Sequence, residues 1–273
     1  MTVSEALREA TQRLSQTSDS ARLDAELLMA HALGVSRSDL LLKHTGDPPP
    51  GEFNLLVERR MVHEPVAYII GDADFYGRKF IVTPSVLIPR SDSESVVEAA
   101  LEFAPSTGRI LDLGVGSGAL LLTLLAERPQ AIGIGIDASL SALSVAAANA
   151  GRLGLANRAR MLRASWHETG WLDNLGVFDL IIANPPYVET TAMLEPGVQN
   201  FEPASALFAG DEGLDDYRVI IPQLRQLLTE KGVAVLEIGA SQEEQVTQIA
   251  TENSFCVELR HDLANRPRAL ILR

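Results

Sequence analysis

Apolar residues recur at helical spacing through the first seventy positions. Val3, Ala6, Leu7, Ala10 and Leu14 mark one face of a first helix. Ser20 is placed to cap a second helix carrying Leu23, Leu27, Met29 and Ala30, and Gly34 is placed to end it. "SRSDLLLKHTGD" predicts another short helix. "PPPG" at 48–51 breaks the chain, and "EFNLLVERRMVHEP" predicts a further helix stopped by Pro65. From Tyr68 the pattern changes. "ADFYGRKFIVTP" holds two short β-like runs around Gly77-Arg78, which predict a hairpin. "SVLIPRSDSE" then leads to a helix starting at Ser91 or Ser93, with Glu94 in its first turn.

After Pro105 strand and helix patterns alternate. "RILDLG", "AIGIGID", "ARMLRAS", "FDLIIAN" and "VAVLEIG" read as strands, with "FCVELRHD" and "RALILR" after them. "ALLLTLLAERP", "SLSALSVAAANAGRLG", "DYRVIIPQLRQLLTEKG" and "SQEEQVTQIATENS" read as the intervening helices. Such alternation predicts an α/β domain with a mostly parallel sheet, helices on both faces, and ligands beyond the carboxyl ends of the strands. The organisation expected is a helical domain over residues 1–70, a hairpin linker over 71–90 and an α/β domain over 91–273.

Composition narrows the functional classes. The chain has 273 residues, 46% hydrophobic and 22% charged, which fits a globular protein. No apolar run is long enough to span a bilayer, and the N-terminus has no basic region followed by an apolar segment. The single cysteine, Cys256, excludes an internal disulfide and fits a reducing compartment, so a cytoplasmic location is expected. The five histidines lack zinc-type spacing, and no metal site is expected. A net charge of −13 gives no global field towards phosphate backbones, which disfavours a nucleic-acid partner.

"LDLGVGSGAL" is a strand, a glycine turn and a helix start. Gly114, Gly116 and Ala119 satisfy a loose dinucleotide pattern, but Asp112 puts a carboxylate at the mouth of the loop. A carboxylate there opposes a pyrophosphate and attracts an ammonium group, such as that of S-adenosyl-L-methionine. Glycines at 114, 116 and 118, with Val115 and Ser117 between them, let the backbone approach the ligand closely. Asp137, ending the next strand, can accept from ribose hydroxyls.

"FDLIIANPPYVET" ends a buried strand in Asn184-Pro185-Pro186-Tyr187. Two prolines stop the ladder and freeze the backbone. The Asn184 side-chain oxygen and the Pro185 carbonyl can both accept from one planar –NH2 group, and Tyr187 offers an aromatic face to pack against it. The turn suits an amide or an exocyclic base amine, a weak nucleophile that benefits from orientation and charge stabilisation. Its chemistry alone leaves glutamine and adenine open.

"ILDLGVGSGAL", "GIDAS" and "NPPYV", in this order, resemble class I methyltransferases acting on planar amino groups. "EPVAYIIGDADFYGRKFIVTPSVLIPRSDSESVVE", "FEPASALFAGDEGLDDYR" and "DLANRPR" resemble the HemK family, the protein-(glutamine-N5) methyltransferases of release factors. The resemblance implies a Rossmann-like, seven-stranded methyltransferase domain preceded by a helical docking domain and a hairpin. It implies methylation of the glutamine in the Gly-Gly-Gln motif of class I peptide chain release factors; a monomer with no membrane partner is expected. Gly114 to Gly118, Asp137 and Trp166 would contact S-adenosyl-L-methionine, with Trp166 near the adenine. Asn184 to Tyr187 would hold the glutamine, Asn184 touching cofactor as well. Val115 replaces a usual threonine, Ser91 a frequent proline. Ser165 stands where the family commonly has an acidic residue accepting from the adenine amine. A ribosomal-protein glutamine, an adenine-N6 position in nucleic acid and a non-catalytic cofactor-binding scaffold are the competing assignments.

Overall fold

The computed structural model describes all 273 residues. Five helices come first: α1 (Val3–Leu14), α2 (Ala21–Leu33), α3 (Arg37–Lys43), α4 (Phe53–Met61) and α5 (Val66–Ile70). A hairpin of β1 (Asp72–Phe75) and β2 (Arg78–Ile81) leads to α6 (Glu94–Phe103). Then follow β3 (Arg109–Leu113), α7 (Ala119–Glu127), β4 (Ile132–Asp137), α8 (Leu140–Arg152), β5 (Ala159–Arg163) and β6 (Phe178–Ala183). After β6 come α9 (Pro196–Phe201), α10 (Asp215–Ile220) and α11 (Leu224–Leu227). The chain ends with β7 (Leu228–Glu237), α12 (Glu243–Glu252), β8 (Val257–His261) and β9 (Pro267–Leu272).

These elements form two compact units. The first joins Met1–Asp72 to Leu194–Glu202, so a late segment containing α9 completes it. In α1 the five periodic apolar residues are all buried, and Thr2 with Glu5 makes a reciprocal capping box. Ser20 stands at the start of α2, but its hydroxyl donates to Asp24 at 2.8 Å instead of accepting a backbone N–H. Gly34 closes α2 with φ +67°, a conformation that costs other residues more. The helix expected to run to Pro65 ends at Met61, and Pro65 instead leads into α5. Proline preceding a helix sacrifices no intrahelical hydrogen bond, which is why it can begin one.

The second unit spans Ala73–Met193 and Pro203–Arg273. Its sheet has the order β5-β4-β3-β6-β7-β9-β8, and only β9 runs against the others. Alternate strand residues feed two cores. Ile110, Leu180, Ile182 and Val235 face one way, with α6 to α8. Leu111, Leu113, Ile181 and Leu236 face the other, with Tyr217 and Ile220 of α10 and Val246 of α12. The seven-stranded, mostly parallel Rossmann-like sheet agrees with the sequence pattern.

Two segments differ from expectation. The helix predicted through Gly232 stops at Leu227, because Leu228 pairs with Phe178 and starts β7. The register then jumps to Leu180 opposite Val233, leaving Thr229–Gly232 as an irregular insert. The hairpin turns at Tyr76-Gly77, one residue early, with φ of +49° and +70°. Its Phe75 and Phe80 meet edge to face at 6.2 Å and are buried in the core of the second unit, a heavier role than a linker's.

Asn149, fully buried on α8, joins three elements. Its Oδ1 accepts from the Ile81 amide at 2.7 Å, and its Nδ2 donates to the carbonyls of Ile81 and Ser117 at 3.0 and 2.8 Å. The hairpin edge and the glycine loop therefore hang on one side chain. Asn149→Ala leaves three backbone groups unpaired and should cost about 2–4 kcal/mol. A urea unfolding midpoint equal to wild type would contradict this.

Candidate functional site

The carboxyl ends of β3 and β6 lie side by side, paired in parallel from Ile110↔Leu180 to Leu113↔Ala183. Chain order runs outward from β3 to β4 and β5 on one side, then returns to β6 and β7 on the other. This is the switch point at which open α/β sheets bind ligands. A cavity of about 520 Å³ opens there, lined among others by Asp112, Gly114, Asp137, Trp166, Asn184 and Asp216. That volume suits a nucleoside-sized ligand.

The glycine loop is held down by its backbone. The amides of Gly114 and Val115 donate to the Ile136 carbonyl at 3.0 and 2.8 Å. Gly114, Gly116 and Gly118 all have positive φ, so the three glycines are required by the path of the chain. Space is also tight. A Cβ on Gly118 would come within 2.8 Å of Leu122, and one on Gly114 within 3.2 Å of the Trp166 ring. Val115 turns its side chain into the core against Gly135, where a Cβ would meet it at 2.6 Å. Val115 therefore contributes packing as well as backbone.

Asp112 is buried, and its Oδ1 has no hydrogen-bond partner. Burial pushes its carboxyl up to about 8, the Asp137 charge adds to the rise, and a hydrogen bond from the Leu121 amide opposes it. An ammonium group brought to this atom would remove the cost of an unpaired buried acceptor. Asp137 is fixed by two amides: Gly116 N donates to Oδ2 at 3.0 Å and Ser139 N to Oδ1 at 2.8 Å. Each oxygen keeps lone-pair capacity for a hydroxyl donor. The residues present thus fit a ligand with a cationic amine and a ribose.

On the β6 side, Pro185 and Pro186 are buried, and Asn184 is partly exposed on the cavity wall. Neither the Asn184 side chain nor the Pro185 carbonyl is engaged by another group of the chain. Of the four turn residues, Asn184 and Pro186 line the cavity, whereas Pro185 and Tyr187 do not. Tyr187 points its hydroxyl inward to Glu237 Oε1 at 3.5 Å. Burial pushes the Tyr187 phenol up to about 12, with the Glu237 charge adding to it. Glu237 is itself buried and raised to about 7 by desolvation, against a hydrogen bond from Ser93 and the charge of Arg268. Tyr187 is therefore an un-ionised aromatic plate.

Sequence reasoning missed what holds this turn. Gln242, buried beyond β7, donates from Nε2 to the carbonyls of Tyr187 and Gly213, each at 3.1 Å, and of Glu212 at 3.4 Å. Its Oε1 accepts from Gly239 N at 3.1 Å. Gly213 must be glycine, since a Cβ there would lie 2.2 Å from the Tyr187 carbonyl. The available signal was a polar residue shortly after the apolar run "VAVLEIG". Gln242→Ala should lower unfolding stability by about 2–3 kcal/mol. Gln242→Glu should cost at least as much, because it turns an acceptor towards three carbonyl oxygens. Wild-type midpoints in denaturant for both variants would refute the clamp.

Comparison with known proteins places these features in a family. Residues 5–71 match the PrmC N-terminal domain and residues 94–207 the methyltransferase small domain. The release factor glutamine methyltransferase of Nitratidesulfovibrio vulgaris is 39% identical over 279 residues, covering 98% of this chain and 93% of that one. The protein of the same name from Cereibacter sphaeroides is 39% identical over 281 residues, covering 100% and 99%. A solved methyltransferase from Pyrococcus furiosus shares the fold, with a TM-score of 0.55, 14% identity, and coverage of 72% and 89%.

Proposed function

Because the chain belongs to the release factor glutamine methyltransferase family, we propose that it methylates the side-chain amide of the Gly-Gly-Gln glutamine in class I peptide chain release factors. S-adenosyl-L-methionine, when bound, supplies an electrophilic methyl group on a sulfonium. The observation that carries the reading is the unengaged Asn184 side chain, on the wall of the same cavity as the buried Asp112, whose Oδ1 has no partner. No helix is long and apolar enough to cross a membrane, and the action we infer is cytoplasmic.

The residues divide the work. Asp112 Oδ1 receives the amino-acid end of the donor, and the amide-fixed carboxylate of Asp137 receives its ribose. Asn184 and Pro185 accept from the two N–H bonds of the substrate amide, which orients the face of its nitrogen. Their oxygens also stabilise the positive charge that grows on nitrogen during transfer. Proton loss follows easily, because an N-alkylated amide cation is strongly acidic. The Tyr187 ring packs against the core behind the turn, and Gln242 holds that turn through the Tyr187 carbonyl.

Labelled S-adenosyl-L-methionine is offered with a release factor, the same factor with its Gly-Gly-Gln glutamine replaced, a ribosomal protein, and DNA. Label should appear in the unmodified release factor alone. Equal labelling of both release factors, or of DNA only, would overturn the reading. In the same assay Asn184→Ala should lower kcat by about 100-fold or more, while calorimetric cofactor affinity changes little.

Asp112 adds a pH-dependent test. With its carboxyl near 8 in the free protein, Asp112 is mainly protonated at pH 7. Contact with an ammonium favours the ionised form, so cofactor binding at pH 7 should release about one proton. Affinity should rise with pH up to about 8. Calorimetry in buffers of different ionisation enthalpy reads the release directly, and Asp112→Asn should abolish it.

A further inference from the structure

The cavity wall alongside Asp137 is made by the chain leaving β5. Asp137 pairs with Arg163 across the sheet, and the Ala164 amide donates to the Asp137 carbonyl at 3.2 Å. Ser165, Trp166 and His167 follow at once and line the cavity. A ligand with its amine at Asp112 on β3 and its ribose at Asp137 on β4 has one part left, the base. Continuing in the same direction brings that base to the β5 side, against these three residues.

Asp216 of α10 joins them at the wall, buried to 6% exposure. Its Oδ1 accepts two hydrogen bonds, from Trp166 Nε1 at 2.5 Å and from His167 Nε2 at 2.9 Å. Its Oδ2 accepts none from the chain. The Ser165 hydroxyl already accepts from the His167 amide at 3.3 Å. Asp216 is thus the one carboxylate on this stretch of wall, and one of its oxygens is held fixed while the other is open. The Trp166 indole is pinned at its N–H by the same carboxylate, and its other end lies over Gly114.

We propose that Asp216 is the residue that selects adenine in the cofactor, its Oδ2 accepting from the exocyclic amine while Trp166 supplies a flat apolar surface beside the ring. This rests on the S-adenosyl-L-methionine reading above. A carboxylate in a buried wall favours an –NH2 and repels a carbonyl oxygen at the same ring position, so it discriminates by sign as well as by fit. In this chain the acidic group comes from α10, across the cavity wall from the serine at 165.

Calorimetric titration with S-adenosylhomocysteine and with its 6-oxo (inosine-type) counterpart tests the assignment without turnover. Wild type should bind the adenine compound about 10- to 100-fold more tightly, the effect of one hydrogen bond to a charged group. Asp216→Asn keeps an oxygen for Trp166 Nε1 and turns an amide N–H towards the ligand. That variant should favour the 6-oxo compound or bind both equally. Asp216→Ala should lose about tenfold on the adenine compound and little on the other. If both variants weaken both ligands in parallel, Asp216 only supports Trp166 and the inference fails. An unchanged preference in Asp216→Asn also overturns it. If wild type binds neither compound, the cofactor reading falls and this inference with it.

Discussion

Parallel pairing of β3 with β6 is the constraint on which the catalytic unit depends. One register puts Leu113 opposite Ala183, so Asp112 and Asn184 emerge at neighbouring strand ends. A slip of one residue would turn every side chain of either strand to the other face. The two cores oppose such a slip, because Ile110 and Ile182 belong to one and Leu111 and Ile181 to the other. Hydrophobic alternation buried on both sides therefore fixes that Asp112 and Asn184 reach the same cavity.

Around that register the polar groups fall into two kinds. Some are fully engaged and hold backbone: Asn149 under the glycine loop, Gln242 behind the proline turn, and Tyr217, whose hydroxyl donates to the Glu237 carbonyl at 2.8 Å. Others are left open: Asp112 Oδ1, the Asn184 side chain and Asp216 Oδ2. These three open groups line the cavity and the engaged ones lie behind it, as do the unpaired Thr123 Oγ1, Glu237 Oε2 and Arg268 Nε. An unpaired buried acceptor costs stability in the free protein, and a ligand that supplies the missing donor recovers that cost on binding.

Much of this was legible in the chain. Strand alternation after Pro105, the Gly114–Gly118 loop and the stop at Asn184-Pro185 are local signals, and each corresponds to a feature of the fold. What failed was non-local. Leu228 reads as helix from its neighbours, yet pairing with Phe178 fifty residues earlier draws it into the sheet. Phe75 and Phe80 sit in a short hairpin whose burial depends on helices that come later. Asp216 and Gln242 escaped notice because their partners, Trp166 and Tyr187, are 50 and 55 residues away. No spacing rule connects such pairs.

The helical unit is closed by Leu194–Glu202, which arrives more than 120 residues after its other helices. On a translating ribosome the unit therefore stays incomplete until the Asn184–Tyr187 turn and four of the seven sheet strands have been synthesised. A fragment ending at Asp72 therefore lacks one segment of its own unit. Neither unit is therefore one continuous block of sequence.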